Sequence, residues 1–265
     1  MKTTRVFLLS LLLAASLSAQ AAPDAAVERD AVQFLIPVAG SVAGANGEQF
    51  RTNLTIVNYE GTDQLVEVTF VPQSGAPVSK RLTIPYLTNL TFADIVGDHL
   101  GATGLGALVV TALNDDGTFD AQASLDGNAR IWTPQTRGAG GDISSFVGAM
   151  ALHGWRNDSP AYIHGTRRTT QFRTSYGIVN LDLASSRRFR VIVNSGLGRY
   201  EETVELAPFS MTQRPVGGGY GDLSIYVEPQ GAGGPWRAYG TSTDNATRSS
   251  WVVPAMQPAR DIVFP

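Results

Sequence analysis

Residues 49–58 read QFRTNLTIVN, and residues 171–180 read QFRTSYGIVN. Seven of the ten positions are identical, at an offset of 122. Both copies alternate. Phe50, Leu54 and Ile56 fall on one face in the first, and Phe172, Tyr176 and Ile178 in the second. Arg51, Asn53 and Thr55 share the opposite face, as do Arg173 and Ser175. Period-two alternation over β-forming residues predicts a half-buried strand. Asn58 and Asn180 close the two phrases, and asparagine bonds readily to its own backbone, so a turn is expected after each. Arg51, Arg173, Asn58 and Asn180 are read as framework residues that hold equivalent places.

The likeness continues in order along the chain. LVEVTFV (65–71) matches RFRVIVN (188–194) after a one-residue slip, and RLTIPY (81–86) matches TVELAP (203–208). GALVVTA (106–112) resembles GDLSIYV (221–227), and AQASLDGNARIWTP (121–134) resembles RAYGTSTDNATRSSWVVP (237–254). The order of elements is the same in both halves, which is the mark of a unit used twice. With 28 Gly and 14 Pro punctuating short apolar runs, each unit reads as a set of short antiparallel strands. The expected fold is all-β: two tandem β-sandwich domains, residues 30–138 and 147–258, joined through the glycine-rich TRGAGGDISS (136–145). One segment, LTFADIVGDHLG (90–101), has a helical face of Phe92, Ile95, Val96 and Leu100 and is expected to add a short helix.

The motifs together resemble modules of exported bacterial proteins. In those, a phrase like FRTNLGLVN precedes an alternating strand, and the last strands carry a pattern like YASVVDNxTGDPxxVPA. Tyr239, Asp244, Asn245, Thr247, Val253, Pro254 and Ala255 match the closing pattern, while Ser250 departs from it. The resemblance implies immunoglobulin-like sandwiches with no assigned activity.

Residues 1–21 read as a signal peptide: Lys2 and Arg5, then the apolar VFLLSLLLAASL, then small residues to Ala21. The apolar run is shorter than a membrane-spanning helix needs, so no membrane span is expected after cleavage. The implied location is periplasmic, extracellular or cell-surface. The chain has no cysteine, which excludes disulfides, thiolate nucleophiles and thiolate metal sites. Residues 23–138 carry 13 acids and 6 bases, and residues 139–265 carry 10 acids and 12 bases. The second balance is far from the basic footprint of a nucleic-acid binder, and no nucleic-acid partner is expected.

Chemistry is sparse. His99, His153 and His164 lack metal-ligand spacing, and no GxSxG elbow is present. NDDGTFD (114–120) clusters acids that could hold calcium, but it fails the EF-hand template and reads as a hairpin turn. Glu201 and Glu205 share a strand face with neighbouring Arg188 and Arg190, which predicts cross-strand ion pairs. No catalytic, cofactor-binding or metal residue is assigned, and no cofactor is expected. The candidate ligand contacts are Trp155, Trp236 and Tyr220. The expected function is an exported non-enzymatic structural, adhesion or protein-binding module. The alternative is a carbohydrate-binding module, and a hydrolase with a site between the domains stands third. The partner is then an unidentified protein or glycan.

Overall fold

The computed structural model describes residues 32–44, 47–135 and 141–258. The proposed signal peptide lies outside the described residues. The strands of the first part are β1 (Gln33–Ala43), β2 (Gln49–Asn58), β3 (Gln64–Pro72), β4 (Val78–Ile84), β5 (Thr88–Phe92), β6 (Gly104–Leu113), β7 (Leu125–Pro134), β8 (Asp142–Gly148) and β9 (Met150–Ala151). Those of the second are β10 (Ala161–Arg168), β11 (Phe172–Asn180), β12 (Arg187–Ser195), β13 (Gly198–Leu206), β14 (Ser210–Pro215), β15 (Gly221–Gln230), β16 (Trp236–Asp244) and β17 (Ser250–Pro254). Every strand pairing among the described residues is antiparallel, and the described structure is all-β.

The nine strands of the first part form one hydrogen-bonded sheet folded over at β1–β2, where the ladder is only Val42 opposite Phe50 and Ala43 opposite Gln49. One side runs β4-β3-β6-β1 and the other β5-β2-β7-β8. The inward residues of both sides fill one core: Phe34 and Ile36 of β1, Val66, Val68 and Phe70 of β3, Leu54 and Ile56 of β2, Leu125 and Ala129 of β7. Burying such alternating faces against each other is what holds a two-sheet sandwich together.

The second part holds two four-stranded sheets, β13-β12-β15-β10 and β14-β11-β16-β17. They enclose Ile163, Tyr176, Ile178, Phe189, Val191, Val193, Ile225 and Trp236. The two strand orders coincide strand for strand with those of the first part. Even the irregularities agree: β1 shifts register between Ile36 and Ala39, and β10 between Ile163 and Thr166.

Two expectations change. Residues 142–151, read as linker and as the start of the second repeat, add to the first sandwich: β8 pairs with β7, β9 with β1, and Val147 enters the first core. The serines and glycines of GGDISSFVG hide that pairing from a sequence reading because the stretch has little apolar alternation. The helix expected over 90–101 shrinks. Its first residues continue β5 against β2, and only Ile95–His99 forms a single helical turn of the wide, i→i+5 kind.

Candidate functional site

The outward positions of β11 decide how the sandwiches meet. Where β2 presents Thr55, β11 presents Gly177. Gly177 faces Tyr239 of β16 in register, and the Tyr239 ring fills the space a Cβ at 177 would need. Covering a strand glycine with an aromatic ring from the next strand flattens the face. Tyr239, Val179, Leu181 and Met211 then form an apolar floor, packed against Leu35, Val38, Val71, Ala107 and Val109 of the first sandwich. The Tyr239 hydroxyl donates to Gln213 Oε1 at 2.8 Å, and the Gln213 N–H donates to Gln73 Oε1 of the first sandwich at 3.1 Å. Burial pushes the Tyr239 phenol pKa up.

Arg237 fastens the same joint. It is buried, lies over the Trp155 ring at 4.5 Å, and donates from Nη2 to the Ala151 carbonyl at 2.9 Å and from Nη1 to the Trp236 carbonyl at 2.8 Å. Its charge is met by carbonyl dipoles and an indole face, and burial pushes its pKa down to about 10. Ser145 of β8 donates to the Ser250 carbonyl of β17 at 2.9 Å on the other side.

Between these fastenings the sandwiches leave a cleft. Its larger hollow, about 540 Å³, has Val38, Val42, Phe50, Leu105 and Ile131 of the first sandwich on one wall. Arg173, Gln213, Thr243, Asn245, Arg248 and Ser250 of the second line the other. A smaller hollow of about 130 Å³ adjoins it beside Ser144 and Ser145. The polar wall is built by the turn after β16. Asp244 accepts from the N–H groups of Ala246 at 2.7 Å and Thr247 at 3.0 Å, and from Gln171 Nε2 at 2.9 Å. Those donors hold its carboxyl below the ordinary carboxylate pKa. The turn places Arg248 in the left-handed region, φ 62°, where its guanidinium pairs with the buried Glu48 carboxylate of the first sandwich. Arg173 donates to Asn245 Oδ1 at 3.0 Å. The hollow thus sets an apolar wall of the first sandwich against a polar, donor-bearing wall of the second.

The residues singled out from sequence fare differently. Trp236 is corrected as a ligand contact. It is 0% exposed, because alternation along β16 turns it inward onto Phe189 and Trp155, and its indole N–H donates to the Asn157 carbonyl at 2.8 Å. Trp155 is half-buried against it, and Tyr220 is exposed on the loop before β15. Asn58 and Asn180 are buried at the ends of β2 and β11. Arg51 and Arg173 occupy equivalent strand positions but differ in partners: Arg51 lies over Trp132 at 5.9 Å and 3.9 Å from Asp94. Trp132 and Trp251 stand on β7 and β17, which hold different places in the strand order. Arg190 pairs with Glu201 at 2.5 Å and Arg188 with Glu205 at 3.1 Å, as the alternation predicts.

His99, His153 and His164 lie on different elements, and none lines the cleft. Among the described residues no group of three or more His, Asp or Glu side chains is arranged to hold a metal ion. In the acidic loop Asp116 accepts from the Thr118 N–H at 2.9 Å and hydroxyl at 2.6 Å, so its oxygens close the turn.

Glu48 and Arg248 were not legible as a pair, since 200 residues separate them. The outward row of Tyr162, His164 and Tyr226 was legible in principle: alternation in AYIHG and SIYVE sets all three on the solvent face of β10 and β15.

No protein-family model matches the chain, and no curated protein matches it. Among solved structures the chain is similar to Thermotoga maritima 1070, at 9% identity and a TM-score of 0.34, over 44% of this chain and 93% of that one. A superposition at that score fixes neither a fold family nor a function. Among the described residues no helix is long and apolar enough to cross a membrane.

Proposed function

We propose that this is an exported, non-enzymatic protein of two tandem immunoglobulin-like sandwiches, derived from one duplicated unit. It serves as a structural, adhesion or protein-binding module at or outside the cell surface, and it holds a protein partner in the cleft between the sandwiches. Duplication draws support from the coincident strand orders and the 122-residue offset. The immunoglobulin-like reading draws support from β2 beside β5 in one sheet and β3 beside β6 in the other, the arrangement of strands B, E, C and F in that fold. Here β1 lies beside β6 and β7 beside β2, a departure from the immunoglobulin order.

One observation carries the functional part. The hollow of about 540 Å³ is contributed by both sandwiches and framed by the Arg248–Glu48 pair. A site that needs both units gives a reason for keeping them locked together. The carbohydrate-binding alternative loses Trp236, which is buried. The hydrolase alternative lacks a histidine in the cleft.

The test places a photo-crosslinking amino acid at Thr243, in the cleft, or at Thr203, on the distant outer sheet, and expresses the full chain in its own cells. A discrete adduct from position 243 and none from 203 is expected, on protein whose N-terminus has been trimmed to Ala22. No adduct from 243, or equal adducts from both, contradicts the reading.

A further inference from the structure

Two arginines line the cleft, and only one is neutralised. Arg248 pairs with the buried Glu48 carboxylate. Arg173 is exposed on β11 and donates from Nη1 to the neutral Asn245 Oδ1 at 3.0 Å, and among the described residues it forms no ion pair. The repeat shows what this arginine lacks. At the equivalent place, an offset of 122, Arg51 lies over the Trp132 ring at 5.9 Å and stands 3.9 Å from Asp94. Trp132 is its register partner on β7. The register partner of Arg173 on β16 is Thr243, and Val216 stands where the first sandwich has Asp94. Neither supplies an aromatic face or a charge. The second sandwich keeps the arginine without the two groups that occupy it in the first.

The groups around Arg173 are held in place. Asn245 Nδ2 donates to the Thr170 carbonyl at 3.1 Å and its backbone N–H to the Gln171 carbonyl at 2.7 Å, which fixes the amide with its oxygen toward Arg173. Gln213 Oε1 accepts from Tyr239, so its Nε2 is left as a donor on the same wall. Among the described residues Glu48 is the acid of the lining, and Arg248 takes it, so the cleft keeps one positive charge. Across the hollow stand Val42, Phe50, Leu105 and Ile131, all half-buried.

We propose that Arg173 anchors a carboxylate of the partner segment, an Asp or Glu side chain or a chain terminus. An apolar side chain beside that carboxylate seats on Val42, Phe50, Leu105 and Ile131. This rests on the reading that the cleft holds a protein partner. A guanidinium takes a carboxylate through two parallel bonds. The bond Arg173 now makes is to a neutral amide, so an incoming anion breaks no internal ion pair. The hollow of about 540 Å³ lies in the range of small-ligand sites, roughly 300–1,000 Å³. The segment therefore enters as a few residues of chain. Arg173 is exposed, so salt weakens the carboxylate contact, while the apolar contact persists.

A library of random short peptides with free C-termini, selected against residues 22–265, tests it, with the enriched peptides then synthesised and titrated by calorimetry. They are expected to share an acid, internal or terminal, beside an aromatic or branched aliphatic residue. Arg173→Gln is expected to weaken them by about tenfold. Arg173→Glu is expected to abolish binding until the peptide's acid is replaced by Lys. Arg51→Gln, the same change at the equivalent position outside the cleft, leaves affinity unchanged. Enriched peptides without an acid, or equal affinity for wild type and Arg173→Glu, overturn the inference. So does a library from which nothing is enriched. The cleft reading fails separately: Thr243→Trp fills the hollow, and peptides that bind this variant as tightly as wild type lie elsewhere. If Thr243→Trp loses binding while Arg173→Glu keeps it, the cleft reading stands and the carboxylate anchor falls.

Discussion

Asn58 and Asn180, 122 residues apart, make corresponding bonds at the ends of β2 and β11. Asn58 Oδ1 accepts from the Glu60 N–H at 2.9 Å, and Asn180 Oδ1 from the Asp182 N–H at 3.2 Å. Asn58 Nδ2 donates to the carbonyls of Thr62, Ile84 and Pro85, and Asn180 Nδ2 to those of Ser185 and Ala207. One side chain thus ties the turn after its strand to the end of the next hairpin. There Leu87 and Phe209 both take the left-handed backbone, φ 47° and 44°.

Removing either amide leaves buried backbone carbonyls without a donor, at about 1–3 kcal/mol for the first such group. Asn58→Ala and Asn180→Ala are each expected to destabilise by about 2–3 kcal/mol in urea unfolding. A loss below about 0.5 kcal/mol at either site contradicts the clamp, since surface substitutions fall within that range.

Trp236→Ala empties the centre of the second core and is expected to cost about 3–5 kcal/mol. Tyr220→Ala, on an exposed loop, is expected to stay within about 0.5 kcal/mol. Chemical denaturation of both distinguishes a core tryptophan from a surface one, and similar small losses would contradict the buried placement.

Gly177→Thr writes the first sandwich's residue into the second. A Cβ there collides with the Tyr239 ring, so the floor of the joint must lift. The expected result is a thermal transition that splits in two as the sandwiches uncouple, followed by calorimetry. A single unchanged transition would show that Tyr239 is not what flattens the joint.

The turn after β16 carries a pH signature. Its donors hold the Asp244 carboxyl below its ordinary pKa of 3.8. A depressed carboxyl contributes stability that is present above the unfolded value and is lost as pH falls through the folded one. Wild type is therefore expected to lose stability below pH 3.8 more steeply than Asp244→Asn, measured as unfolding midpoints from pH 5 downward. Parallel profiles would contradict the assignment.

What the sequence disclosed follows the range of each interaction. Alternation in QFRTNLTIVN sets Leu54 and Ile56 inward, and alternation in RRFRV sets Arg188 and Arg190 on the outward face that also carries Glu201 and Glu205. Both are decided by neighbours two residues away. Trp236 lies on a strand whose inward face is settled by distant partners, so the sequence favoured a core place for it but left a surface platform open. The Gly177–Tyr239 cover and the Glu48–Arg248 pair join strands that only the fold brings together. The cleft, which those contacts frame, was legible only as a groove between two repeats. Residues 142–151 were misplaced because pairing with β7 depends on backbone bonds that serine and glycine supply as well as valine does.

The docked arrangement of the two sandwiches is tested most directly with engineered thiols. The chain has no cysteine, so Ser145→Cys with Ser250→Cys introduces the only pair, at two side chains whose hydroxyls are in hydrogen-bond contact across the joint. Near-complete disulfide formation under mild oxidation, in monomeric protein, is the expected result. Two free thiols after oxidation, or a disulfide found only between chains, would contradict the joint and the cleft it frames.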